Sequence, residues 1–454
     1  MKSFLVTMLL AGTFVTNAQN AEKSTIKQIY QNALTTPEAY NNLKELCSKA
    51  PGRIVGSKQS EIAIQLLKDQ ITKLNPDTCY LQKYSSPSWL CKEPAQAVLS
   101  YRGKKETLNV VNLGLSVSTP EAGIKREIVE VHSMKELDSL GTAVVKGKIV
   151  FFNRPMDNEK LTTFEAYGGA IDQRALGASK ASQYGAAGVI VRSLATERDD
   201  FPHTGVSRYK DGIEKIANLA ISTNDADKLS RINKQYPGTT VWIKSTTKNI
   251  DRVETANLIA EIKGSTNPGQ IILLGAHMDS WFNTPGAHDD GAGCAQMVDV
   301  LRIFKQLNLK PANTIRLVLY MDEEMFQEGS KVYASYVGKE KKKHIACIES
   351  DAGGALPLGF DIDANDSVLY ALQKQTEKLA DFGVYRTIKG YGGVDIEPLK
   401  QYGFPLIGLL TNSQRYFEYH HSANDTVDKV SRREMQLGTA SIASLVYLID
   451  KNGL

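Results

Sequence analysis

Gln270-Ile-Ile-Leu-Leu-Gly-Ala-His277-Met-Asp279-Ser280 decides the fold. The apolar run from Gln270 to Gly275 has the length of a buried strand. Just past its end it delivers an imidazole and, two residues on, a carboxylate. The pattern recurs. Thr314 to Tyr320 is a strand ending in Asp322-Glu323-Glu324, and His344 to Ile348 is one ending in Glu349-Ser350-Asp351. Leu406 to Leu410 is a further short strand ahead of Tyr419-His420-His421. Between the first two lies a helix, Gly291 to Leu307, with Cys294, Met297, Val298, Leu301 and Phe304 at helical spacing. Strand and helix in alternation predict an α/β domain. Polar residues set repeatedly beyond strand C-termini predict a site in the crevice outside the carboxyl ends of its sheet.

Five residues near those strand ends are of zinc-ligand type, two imidazoles and three carboxylates: His277, Asp289, Glu324, Asp351 and His421. A ligating imidazole needs an acceptor for its other ring N–H, and Asp279 is of the right type for His277. Pro285-Gly-Ala-His-Asp289-Asp290-Gly-Ala-Gly293 sets two acids before a glycine-rich helix start. An N-cap accounts for them, and so does one carboxylate bridging two metal ions about 3.5–4 Å apart. Three consecutive acids at 322–324 repel unless a cation or hydrogen-bond donors compensate, and Glu323 stands beside the ligand set as a residue able to move a proton. Alone each motif is weak, since a strand-end His-x-Asp is more often simply satisfied. In this set and order they predict a hydrolase that activates water with two metal ions.

At 454 residues the chain is too long for one ordinary domain. A formal charge of +4, with no basic run interleaved with aromatics, argues against a nucleic-acid partner. At the start, MKSFLVTMLLAGTFVTNAQN has Lys2, an apolar stretch from Phe4 to Val15 and small residues through Ala18, the layout of a secretory signal over 1–18. That stretch falls short of the roughly 20 residues a membrane span needs, so export to the periplasm or medium is expected. Cys47, Cys79, Cys91, Cys294 and Cys347 lack CxxC spacing, which argues against a zinc ribbon. Cys79 and Cys91 could bridge in an oxidising compartment, while Cys294 and Cys347 fall in apolar patterns that suit buried thiols.

Residues 24–75 are helix-rich, with an amphipathic segment from Ser60 to Leu74, and strand-like pieces follow at Ala95 to Tyr101 and Thr107 to Leu113. Between about 119 and 246, short strands (Gly147 to Phe152, Gly188 to Val191, Ala217 to Thr223) alternate with small-residue helices such as Ala175 to Tyr184. A polar loop covers Thr196 to Gly212. No cluster of acids and histidines occurs there, and a separately folding insert without chemistry of its own is expected. Ser431 to Ile449 closes the chain as a helix, with Ser431 as N-cap and Glu434 at capping-box spacing.

Nearly the whole mature chain resembles the di-zinc exopeptidases, the family of leucyl-type aminopeptidases and glutamate carboxypeptidases. Besides the site motifs, Asn257-Leu-Ile-Ala-Glu-Ile-Lys-Gly-Ser265, Gly393-Val-Asp395 and Arg415-Tyr416-Phe417 carry the likeness. Gly147-Lys-Ile-Val150 and Gly185-Ala-Ala-Gly-Val189 resemble a protease-associated domain. The resemblance implies a mixed central sheet flanked by helices over 22–118 and 247–454, interrupted by a β-rich protease-associated insert over 119–246. It implies two zinc ions per chain, His277 and Asp351 holding one, Glu324 and His421 the other, and Asp289 bridging. Glu323 would be the general base, and Asp279 would orient His277. Of the paired histidines His420 is the weaker candidate, and His288 is expected not to ligate. Short unblocked peptides, dipeptides foremost, are the implied substrates, with Arg415 and Tyr416 as candidate contacts, and a homodimer is the implied assembly. Two departures bear on specificity. Met325-Phe326 follows the acids where many relatives carry Glu-Glu-x-Gly, and Gln414-Arg415-Tyr416 has no clean match. The rivals are a receptor that has lost its ligands and a one-zinc cyclase on the same scaffold. The complete ligand set speaks against the first, and the insert against the second.

Overall fold

Among the described residues fourteen strands follow one another: β1 (Thr78–Tyr101), β2 (Lys104–Leu108), β3 (Val110–Asn112), β4 (Ile124–Val131), β5 (Ile149–Phe152), β6 (Gly188–Arg192), β7 (Asn218–Ile221), β8 (Thr240–Ile262), β9 (Asn267–His277), β10 (Asn313–Tyr320), β11 (Lys343–Glu349), β12 (Pro357–Asp363), β13 (Arg386–Lys389) and β14 (Leu406–Thr411). The structure, a computed structural model, describes residues 20–454, so the expected signal over 1–18 lies outside the described residues. One hydrogen-bonded path runs β13-β12-β14-β11-β9-β10-β8-β4-β5-β6-β7-β3, with β1 against β8 and β2 against β1.

The antiparallel ribbon of β1 and β8 ties two units together. At about 3.3 Å per residue a strand of this length reaches roughly 75 Å, enough to pass through both. The start of β8, Thr240 to Ile243, pairs with β4 of the insert, and its end, Leu258 to Ile262, pairs with β10 of the larger unit. β9 lies parallel to both β10 and β11, and β11 parallel to β14, while β12 and β8 join antiparallel. The larger sheet is therefore mixed. Its central strands are near-continuous apolar runs because helices cover both faces. Alternation splits them between two cores: Ile272, Leu274, Leu317, Leu319 and Ile348 face one, and Ile271, Leu273, Val318, Tyr320 and Cys347 the other. The first is covered by the helix Ala292–Gln306, which packs on the closing helix Arg432–Asn452. Ser431 caps that helix, its hydroxyl accepting the Glu434 N–H at 3.3 Å.

In the insert, β4, β5, β6 and β7 are parallel, helices join β4 to β5 and β5 to β6, a loop joins β6 to β7, and a core again lies on each face. Those cores also take Ala97 and Leu99 from β1 and Val111 from β3, so they draw on chain ahead of residue 119. The disulfide considered for Cys79 and Cys91 does not form, and all five cysteines are free. The reason is geometric. Both lie on the one strand β1, and twelve residues of extended chain separate them by about 40 Å, far beyond the reach of a bridge.

Candidate metal centre

The carboxyl ends of β9, β10 and β11 meet at one crevice. β9 ends on His277 itself. Beyond β10 the chain turns sharply at Asp322, whose φ is +76°, and presents Glu323 and Glu324. Asp351 follows β11 by two residues. Asp289 comes from a single π-turn, Ala287–Gly291, that leads into the buried helix. His421, at φ +63°, comes from the loop after β14. All five expected ligands converge. His277 Nε2 lies 3.2 Å from Asp289 Oδ1 and 3.3 Å from Asp351 Oδ1. His421 Nε2 lies 3.3 Å from Asp289 Oδ2 and 3.1 Å from Glu324 Oε2. Asp289 thus turns one oxygen to each histidine.

Several buried groups set this arrangement. The Asp279 carboxylate accepts the N–H groups of Asp322, Glu323 and Glu324 at 3.0, 3.2 and 3.3 Å, holding the acidic turn, and faces His277 Nδ1 at 3.6 Å. Asp425 accepts from the N–H of His288 at 2.7 Å and of Asp289 at 3.1 Å. Asp290 accepts from the N–H of His277 and of Gly293. The Arg53 guanidinium, wholly buried, donates to the carbonyls of Met278, Pro285 and Gly286 at 2.6, 2.5 and 2.9 Å, pinning the loop between the first two ligands. Sequence reasoning missed Arg53, Asp290 and Asp425 as site residues. Pro51-Gly52-Arg53 carries only a turn signal in the sequence, and a carboxylate's duty toward backbone N–H groups has no linear signature.

Carboxylates far outnumber cations here, and their acidities show the strain. Burial, with the Asp289 charge, lifts Glu324 to about 7. Burial and Asp351 lift Glu349 to about 8, and burial and Asp279 lift Asp322 to about 8. Glu323, half-buried and without a hydrogen-bond partner for its carboxylate among the described residues, is raised well above the usual range by burial, Asp351 and Glu324. Burial alone would depress His421, but Glu324 and Asp289 outweigh it and raise the ring to about 10. A burden of buried negative charge of this size calls for cations.

The donors fit one. His277 Nε2, Glu324 Oε1 and Asp351 Oδ1 are buried with no hydrogen-bond partner among the described residues. The ligand atoms stand close without bonding one another because they point at shared space. Two donors on a tetrahedral ion at about 2.0–2.1 Å are about 3.3 Å apart, and the four contacts above lie between 3.1 and 3.3 Å.

The remaining candidates lie around this cluster. The Arg415 guanidinium is engaged by Glu418 at 3.0 Å and by the Tyr419 hydroxyl, and it does not line the cavity beside Asp351. Tyr416 is buried, its ring against Phe164 and His420. Met325 is buried in the main core and Phe326 packs against it, so neither crowds that cavity. His288 binds the Lys429 carbonyl and the Gly354 N–H, away from the ligands. His420 stacks on His421 with ring centres 3.5 Å apart, its Nε2 3.7 Å from Asp289. The cavity, about 560 Å³, has Asp351, Tyr391, Val394 and Leu410 in its walls, along with Leu161 and Phe164 of the insert. Two apolar residues of the insert thus stand in the wall of that cavity.

Fold and site together are those of a metallo-exopeptidase. The family model described as "Peptidase family M28" matches residues 257–446. Carboxypeptidase Q of Bos taurus is 31% identical over 411 residues, spanning 90% of this chain and 85% of that protein. Its Homo sapiens counterpart is 30% identical with the same coverage. Among solved structures, a peptidase M28 precursor from Shewanella amazonensis SB2B superposes with a TM-score of 0.91 at 30% identity, covering 96% of this chain and 98% of that one. A zinc aminopeptidase from Bacillus subtilis shares the fold at a TM-score of 0.65 and 19% identity, covering 90% and 94%. The chain belongs to peptidase family M28.

Proposed function

We propose that this protein is an exported exopeptidase that holds two zinc ions and hydrolyses short peptides with free ends, dipeptides foremost. The observation that carries the reading is the division of Asp289, one oxygen toward His277 and the other toward His421. His277 and Asp351 would hold one ion, Glu324 and His421 the other, with Asp289 shared. Bound there, the ions would supply Lewis acidity toward a scissile carbonyl and an acidified water.

The protein's own groups do the rest. Asp279 fixes the turn that carries Glu323 and Glu324. Glu323, its carboxylate unengaged, takes the proton of the attacking water and returns it to the leaving amine, the base-then-acid sequence of amide hydrolysis. The cavity beside Asp351, with its apolar walls, receives a side chain next to the scissile bond. Export rests on the sequence over 1–18, and among the described residues no helix is long and apolar enough to cross a membrane. A protease-associated insert over 119–246 and pairing into homodimers complete the reading, the latter checked by light scattering.

The decisive experiment measures zinc content and dipeptide hydrolysis together, beside Glu323→Gln. About two zinc per chain, retained in the variant while turnover falls by about 10²–10⁴, is the expected result. An active Glu323→Gln variant, or a wild-type protein that hydrolyses with one metal or none, would overturn it.

A further inference from the structure

We infer that the insert completes the metal centre: the backbone carbonyl of Thr204 positions the imidazole of His421. The loop between β6 and β7 returns from the insert to the crevice and makes a reciprocal pair of contacts there. The Thr204 N–H donates to the His421 carbonyl at 3.0 Å, and His421 Nδ1 lies 3.2 Å from the Thr204 carbonyl oxygen. A carbonyl can only accept, so this contact selects the tautomer with hydrogen on Nδ1 and leaves Nε2 bare toward Glu324 and Asp289. The group that faces His277 Nδ1, at 3.6 Å, is the Asp279 carboxylate, from the larger unit itself. Of the two histidines, one has its Nδ1 facing a carboxylate of the catalytic unit and the other a carbonyl of the insert.

The supporting segment is built to hold still. His203, Thr204 and Arg174 are buried. His203 Nδ1 meets the His420 carbonyl at 2.6 Å, and the Thr204 hydroxyl donates to the Asn112 carbonyl at 2.6 Å. Arg174 Nη1 reaches the Thr204 carbonyl at 3.4 Å. A Cβ on Gly205 would come within 2.3 Å of that guanidinium, and the residue's φ of +138° suits glycine alone. Around it Tyr167 of the insert stacks on Phe417 and meets His420 edge-on, while Phe164 stacks on Tyr416. The insert therefore grips the segment carrying His421 through aromatic packing, and Thr204 converts that grip into the orientation of a ligand.

The inference rests on the two-zinc reading, and its test separates the two. Gly205→Val and Arg174→Ala, each in the full chain, are titrated with zinc against a competing chelator, with circular dichroism and the metal-free melting temperature as checks on the fold. One of the two zinc affinities should fall 10- to 100-fold while the other stays within about twofold, with kcat falling more than KM rises. General loosening of the fold would weaken both ions alike, so equal losses, or none in folded variants, would overturn the inference. A wild-type protein with fewer than two zinc sites would instead sink the underlying reading. A measurement without mutation guards against variants that fail to fold: long-range proton–nitrogen spectra of the seven histidines in the zinc-loaded protein. His421 should show a slowly exchanging Nδ1–H, and a rapidly exchanging proton there refutes the carbonyl contact.

Discussion

Asp279→Asn isolates what a carboxylate does here beyond orienting a histidine. Oδ1 of Asp279 accepts two backbone N–H groups, from Asp322 and Glu323, and Oδ2 accepts the third, from Glu324. With its carbonyl kept at the Oδ1 position, asparagine places an NH2 against the Glu324 N–H, donor facing donor. One charge-assisted bond is lost, about 1.5–3 kcal/mol, equivalent to a factor of about 10–150. The His277 ring stands at 3.6 Å, beyond good hydrogen-bond length, so its share is the smaller. The loss should therefore reach the metal through Glu324. A double-mutant cycle tests this with zinc affinity as the readout. Asp279→Asn and Glu324→Gln should couple by more than about 1 kcal/mol, as residues in one network do, whereas Asp279→Asn and His277→Asn should couple less. Additivity with Glu324→Gln, or the stronger coupling with His277→Asn, would refute the argument that the amide nest dominates.

Removing metal should destabilise the fold. An ion at a thousandfold its dissociation constant stabilises by about 4 kcal/mol, so chelation should lower the apparent Tm by several degrees and zinc restore it, and an unchanged melt would count against the site. His344 should make stability fall with acid. Burial, reinforced by the Arg316 charge, holds its ring at about 3 in the fold against 6.5 unfolded, so the unfolded chain takes up a proton first. That stability is complete above pH 6.5 and is lost as pH falls toward 3, about 2 kcal/mol of it between pH 7 and 5. Urea titrations of wild type and His344→Phe should therefore converge by that amount on going from pH 7 to 5, and parallel curves would contradict it.

What the sequence determined by itself is local. Runs such as Gln270 to Gly275 and Thr314 to Tyr320 announce buried strands because side-chain alternation and burial are properties of neighbouring residues. The acids and imidazoles at their ends announce metal chemistry because ligand type is written in the residue. What only the tertiary structure decided is which groups face one another. Asp289 and His421 are 132 positions apart, and their meeting depends on how the sheet and the loop after β14 are laid together. Arg415 pairs with Glu418, three residues on, because a nearby charge costs less entropy to engage than a remote one. Asp279, Asp290 and Asp425 serve backbone N–H groups, which every residue has, and so leave no trace in the residue pattern. The contact between Thr204 and His421 is of the same kind, a carbonyl brought from one unit to a ring in another. No reading along the chain could find it, because its donor and acceptor become neighbours only when the two units dock.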